Sequence, residues 1–147
     1  MNYHLDQIQV TEYPEVVDLW ELSVRATHGF LKEEDIAFFK PLILNVYLNA
    51  VELNSVRADS GQILGFSGVA EGNLEMLFVH PDFAGKGIGK TLLHHAIKHQ
   101  LVTKVDVNEQ NPKAIKFYLK NGFEILGRSE LDGTGKPYPI LHLELHK

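Results

Sequence analysis

The stretch Leu74-Glu75-Met76-Leu77-Phe78-Val79-His80-Pro81-Asp82-Phe83-Ala84-Gly85-Lys86-Gly87-Ile88-Gly89-Lys90-Thr91-Leu92-Leu93 decides the fold. Its apolar run reads as a strand, His80-Pro81 ends the strand, and Gly85, Gly87 and Gly89 make a turn. The apolar spacing after the turn is helical. A helix start leaves its first backbone N–H groups without partners and carries partial positive charge. Glycines that let an anion reach those groups therefore create a phosphate site.

On the N-terminal side, Asp59-Ser60-Gly61 separates residues 51–58 from 63–70, and Glu71-Gly72-Asn73 separates that run from 74–79. Three strands in an antiparallel meander are predicted. Helical spacing recurs earlier at Val16, Val17, Leu19, Trp20 and Val24, and again across Ile36, Phe38, Phe39, Leu42, Ile43, Val46 and Tyr47. On the C-terminal side come a helix over 87–99, a short apolar run over 102–107, and a helix opened by Asn111-Pro112 and stopped by Asn121-Gly122. A strand over 123–131, a turn at Asp132-Gly133-Thr134-Gly135 and a last strand over 140–145 complete the chain. An antiparallel first half with helical crossovers in the second implies a mixed sheet.

The 147 residues are 44% hydrophobic, and they are expected to form a single domain, 1–147, with a real core. A net charge of -5 and a pI near 5.9 offer no broad basic field, so neither nucleic acid nor an anionic membrane is an expected partner. Without cysteine there is no disulfide framework, thiolate zinc site or cysteine nucleophile. The first residues lack the pattern of a signal peptide, and no segment is long enough to span a bilayer. A cytoplasmic protein is expected.

Two nucleotide fingerprints fail at the glycine turn. A P-loop needs a glycine five residues before Gly89-Lys90-Thr91, and that position is Ala84. The dinucleotide pattern beginning at Gly85 needs its third glycine at position 90, which is Lys90. A P-loop-like nucleotide-binding protein remains the remote alternative.

The block Leu77 to Leu93, followed by Asn108-Glu109-Gln110-Asn111-Pro112-Lys113-Ala114-Ile115-Lys116-Phe117-Tyr118-Leu119-Lys120-Asn121-Gly122-Phe123, resembles both cofactor-binding segments of the GNAT superfamily of acetyltransferases. Ser23 to Leu31, and Gly127 to Glu130 with Gly135 to Pro139, look like its bacterial YjaB-like branch. The resemblance implies an α/β GNAT fold. Its sheet should be mixed but mostly antiparallel, with about six to seven strands, about four flanking helices and splayed central strands. It implies an N-acetyltransferase that moves an acetyl group directly from acetyl-CoA to a primary amine of a small molecule or protein, as a monomer or homodimer. The alternative of another class is a catalytically idle acyl-CoA-binding module.

By that resemblance, coenzyme A lies along the main chain of Leu77, Phe78 and Val79, and its pyrophosphate sits on the amides of Gly85, Lys86, Gly87, Ile88, Gly89 and Lys90. Asn111, Ala114 and Phe117 join it. Ala84 departs from the family's Arg or Gln at the head of the turn. Lys86 or Lys90 can replace that side chain by charge, worth about a kcal/mol or less if exposed. Tyr118 matches the family's general acid. The base is open between Glu75, His28 and a relayed water, because Asn73 occupies the position of the best-known family carboxylate. His28, Phe30 and Tyr138 are the expected acceptor contacts.

No metal site is expected. Ile88, Leu92, Leu93, Ala96 and Ile97 form the buried stripe of their helix, which leaves His94, His95, Lys98 and His99 as a solvated face. His142 and Glu144 alternate with Leu141, Leu143 and Leu145, as on a half-covered strand.

Overall fold

Residues Ile63 to Val69 are buried without interruption, and the sheet in the N-terminal part of the chain is built around them. The computed structural model describes Asn2–His146, which divide into two units, one reaching Val102 and the other starting at Thr103.

The first unit holds strands β1 (Tyr3–Gln7), β2 (Glu52–Ala58), β3 (Ile63–Ala70) and β4 (Asn73–Val79), antiparallel in that order. With them are helices α1 (Tyr13–Thr27), α2 (Glu33–Leu42) and α3 (Ile88–His99). Neighbouring β4 residues point to opposite faces. Met76 and Phe78 join Val16, Trp20, Val24, Ile36 and Phe66 in one apolar cluster, whereas Leu77 and Val79 join Val56, Leu64, Ile88 and Leu92 in another. Helices α1 and α2 therefore cover one face and α3 the other. Gly65 lets α3 approach: a Cβ there would stand 2.8 Å from Ile88 Cγ2.

The meander and all four helices form where the sequence predicts them. Three local differences have physical causes. The N-terminal strand β1 carries one half-buried residue followed by four exposed ones, so no apolar alternation announces it. Pairing with β2 and a bond from Ser55 Oγ to the Asp6 carbonyl (2.9 Å) hold it. The second helix contains Pro41, and beyond it the backbone widens into a π turn over Ile43–Tyr47 and tightens into a 3-10 turn over Leu48–Ala50. Proline removes one helical N–H and crowds the preceding turn, which favours such a departure. Val102 ends α3 instead of opening the next strand, because its N–H bonds to the Ala96 carbonyl (3.2 Å).

The second unit holds β5 (Lys104–Asn108), α4 (Pro112–Lys120), β6 (Phe123–Ser129) and β7 (Ile140–Leu145). Strand β7 lies between β5 and β6, antiparallel to both. Helix α4 starts as predicted, with the Asn111 side chain accepting from the Ala114 N–H (3.2 Å) and Pro112 at the first position. No helix among the described residues is long and apolar enough to cross a membrane.

Arg57, buried in β2, ties β1 and the approach to α1 together. It donates to both Glu12 carboxylate oxygens (2.6 and 2.7 Å) and to the Gln7 carbonyl (2.9 Å). The bonds from Arg57, and then one from the Gln9 amide, hold the Glu12 carboxyl at about 2 instead of 4.5. A carboxyl whose pKa falls on folding stabilises fully above its ordinary value and loses that contribution as pH drops toward the folded value. Replacing Arg57 by Met should cost roughly 3 kcal/mol at pH 7, as expected for breaking a buried pair. It should also flatten the stability profile between about pH 4.5 and 2. Urea unfolding across that range measures both; an unchanged acid slope would exclude this pair as its source.

Candidate active site

Strand β4 leads into the glycine turn through two bonds made by His80. Its N–H donates to the Leu64 carbonyl (2.8 Å), and its Nδ1 accepts the Asp82 N–H (3.1 Å). Gly85 and Gly87 have φ of +77° and +81°, a region that strains any residue with a Cβ. The bond from the Thr91 N–H to the Gly87 carbonyl (3.0 Å) opens α3. Among the described residues the amides of Gly85, Lys86, Gly87, Ile88, Gly89 and Lys90 have no hydrogen-bond acceptor. Lys86 and Lys90 are exposed beside them, and so is Ala84, which brings no polar group.

Tyr3 braces this turn. Its Oη donates to the Lys86 carbonyl at 3.1 Å, while its ring packs with the cluster of Ile88 and Leu92. Carbonyl and N–H point opposite ways across a trans peptide, so this bond aims the Gly87 N–H away from Tyr3. Sequence reading missed Tyr3, since only the pairing of β1 carries it to the turn.

Glu75 sits where the register of β3 on β4 shifts, Gly68 facing Met76 and Val69 facing Leu74. Such a bulge redirects a side chain out of the regular ladder. The exposed Glu75 lines a cavity of about 310 Å³ with Tyr47, Ala50, Val51, Ala70 and Met76. Further along β4, the His28 ring lies 5.3 Å from Phe30 and 6.3 Å from Phe78, centroid to centroid. The structure thus brings three predicted residues together over the strand. Burial lowers the His28 pKa to about 4. Thr27 Oγ1 gives its proton to the Ser23 carbonyl (2.8 Å) and lies 2.7 Å from His28 Nδ1.

In the second unit, Asn111 is buried, and Ala114, Phe117 and Tyr118 follow it on α4. Tyr118 packs edge-on between Phe117 (5.1 Å) and Phe123 (5.7 Å). Burial pushes its phenol well above the ordinary value, so the proton stays on oxygen. Tyr138, between β6 and β7, is only 5% exposed. Back in the first unit, Leu77, Phe78 and Val79 are half-buried. His94 and His99 are exposed as expected, His95 stacks on His99, and no cluster of three metal-ligating side chains occurs among the described residues.

The profile of the Acetyltransferase (GNAT) domain matches residues 51–125. Peptidyl-lysine N-acetyltransferase YjaB of Salmonella typhimurium is 39% identical over 132 residues, covering 90% of each chain. The solution structure of apo YjaB from Escherichia coli superposes with a TM-score of 0.88 at 35% identity, covering 99% of this chain and 98% of that one. The crystal structure of PaiA N-acetyltransferase from Thermoplasma acidophilum with coenzyme A shares the fold at a TM-score of 0.75 and 23% identity, covering 99% of this chain and 100% of that one. The glycine turn, the capped α4 and these likenesses place the chain in the GNAT family of N-acetyltransferases, which take their acetyl group from acetyl-CoA.

Proposed function

We propose that the protein acetylates lysine-like primary amines by direct transfer, residues 1–147 acting as one cytoplasmic acetyltransferase domain, as a monomer or homodimer. The cavity beside Glu75 carries this reading. Its walls of Tyr47, Ala50, Val51, Ala70 and Met76 suit an alkyl stem, and the Glu75 carboxylate suits the ammonium at the stem's end. The neutral His28 ring does not repel that cation. The YjaB relative is itself named for peptidyl-lysine.

The turn fits a pyrophosphate on its own geometry: unpartnered amides at a helix start, and glycines where a Cβ would be strained. Gly85 to Lys90 would hold the pyrophosphate, and the main chain of Leu77 to Val79 would pair with the pantetheine as an added strand does. Asn111, Ala114 and Phe117 complete the cofactor contacts. Acetyl-CoA supplies an activated acetyl thioester. Glu75, directly or through a water, or the His28 ring takes the amine's proton, and Tyr118 donates to the departing thiolate.

Thiol release from acetyl-CoA, measured with a panel of lysine peptides, polyamines and amino acids, tests the proposal. Lysine peptides should be preferred; a preference for α-amino groups would overturn the acceptor assignment. Calorimetry should show binding of coenzyme A and none of ATP, which removes the P-loop alternative. Coenzyme A binding without acetyl transfer to any amine would favour the idle module.

Tyr3 provides a prediction specific to the turn. Tyr3→Phe should raise the acetyl-CoA KM about five-fold, the worth of roughly one hydrogen bond, with kcat unchanged. The KM for S-acetylpantetheine, which has no pyrophosphate, should not move. Equal effects on both donors would show that Tyr3 does not act through the turn.

A further inference from the structure

The second unit contains a group of residues that acetyl transfer does not use. His142 Nδ1 lies 2.6 Å from Asp106 Oδ1, and His142 Nε2 lies 2.7 Å from Ser129 Oγ. Three adjacent strands set this up. Asp106 of β5 is the register partner of His142 of β7, and Gly127 of β6 faces His142 from the other side. Ser129, two residues along from Gly127, shares its face and makes the diagonal contact. A Cβ built at Gly127 would lie 3.6 Å from His142 Cδ2, in ordinary contact with the imidazole.

The directions of these bonds are fixed by chemistry. An ionised carboxylate only accepts, so Nδ1 is the donor toward Asp106. In the neutral ring Nε2 then carries the lone pair, and the Ser129 hydroxyl must donate to it. A hydroxyl hydrogen-bonded to a base that a carboxylate orients is the arrangement of an activated nucleophile, recognised by geometry and not by position in the sequence.

We propose that Ser129 is a nucleophile and modification site that takes an acyl group from reactive thioesters. Oγ bonds to the thioester carbonyl carbon as its proton passes to His142 Nε2. The carbon–sulfur bond then breaks, and the leaving thiolate recovers that proton. The products are a Ser129 ester and a free thiol. Side chains of His142 and Asp106 are 42% and 67% exposed, so small donors reach the group and the chemistry is stoichiometric acylation of an open surface. The proposal stands apart from the amine reading, since it needs no coenzyme A site.

The test uses the whole protein with S-acetyl-N-acetylcysteamine, a thioester without a nucleotide. Intact mass, peptide mapping and release by neutral hydroxylamine, which cleaves esters but not acetyl-lysine amides, report the product. A hydroxylamine-labile acetyl group should map to Ser129 and vanish in Ser129→Ala. Its formation should slow on the order of a hundredfold in His142→Gln, the usual worth of a general base. Asp106→Asn, which keeps the shape but favours the wrong tautomer, should slow it as well. All three variants should keep the wild-type circular dichroism and amine acetylation. No labile acetyl at Ser129, or equal labelling of wild type and His142→Gln, overturns the proposal.

Discussion

Tyr118→Phe is expected to lower kcat at least about a hundredfold, the low end for loss of a general acid. The acetyl-CoA KM and thermal stability should stay close to wild type. The ring is held by edge contacts with Phe117 and Phe123, which phenylalanine repeats. Only the hydroxyl is lost. Burial keeps that phenol protonated well beyond its ordinary range, so it remains a donor at every working pH. A departing thiol has a pKa near 8.5, about the ordinary cysteine value, and donation from a phenol stabilises the charge that develops on sulfur. Steady-state kinetics on a folded variant decide the point, and an unchanged kcat would remove Tyr118 from the chemistry.

Gly65→Val should damage stability and cofactor binding together. A Cβ at position 65 would stand 2.8 Å from Ile88 Cγ2, 3.1 Å from the Phe78 carbonyl oxygen and 3.3 Å from Leu92 Cδ1. Strand backbone does not yield readily, so the first turn of α3 must move. Overpacking of this kind costs about 1 to 3 kcal/mol. Because Ile88 opens the helix that carries the turn's unpartnered amides, the displacement should also weaken coenzyme A binding more than about tenfold, beyond roughly 1.4 kcal/mol. Urea unfolding gives the first quantity and calorimetry the second. Wild-type affinity in a destabilised Gly65→Val would show that the turn does not depend on this contact.

The features legible in the sequence are local. The strand, glycine turn and helix of residues 74–99 are written in hydrophobic period and turn chemistry, and Asn111-Pro112 and Asn121-Gly122 mark both ends of α4 within a few residues of the backbone they shape. Of the predicted stripe, Ile88, Leu92, Leu93 and Ala96 are buried as their spacing implies, while Ile97 is half-buried. The features that escape depend on strands meeting across long separations. Tyr3 reaches Lys86 only because β1 pairs with β2, and its own segment is polar. His142 reads as an ordinary surface position of β7, since its link to Asp106 comes from a strand pairing 36 residues apart. His28 is a candidate by residue type alone; its neutral state comes from burial that no periodicity reveals.

The π turn at Ile43–Tyr47 has an evolutionary consequence. A π turn holds one residue more than the α-helical path it replaces. Removing one residue there would return the segment to α geometry with the residues beyond it near their present register, while the side chains inside the turn change their spacing. Tyr47, the last residue of that turn, lines the cavity with Glu75, so the change would be felt at the cavity wall. A single-codon deletion, touching no residue of the glycine turn or of α4, would thus alter one wall of the cavity beside Glu75. The shape of that wall thus depends on chain length as well as on which side chains line it.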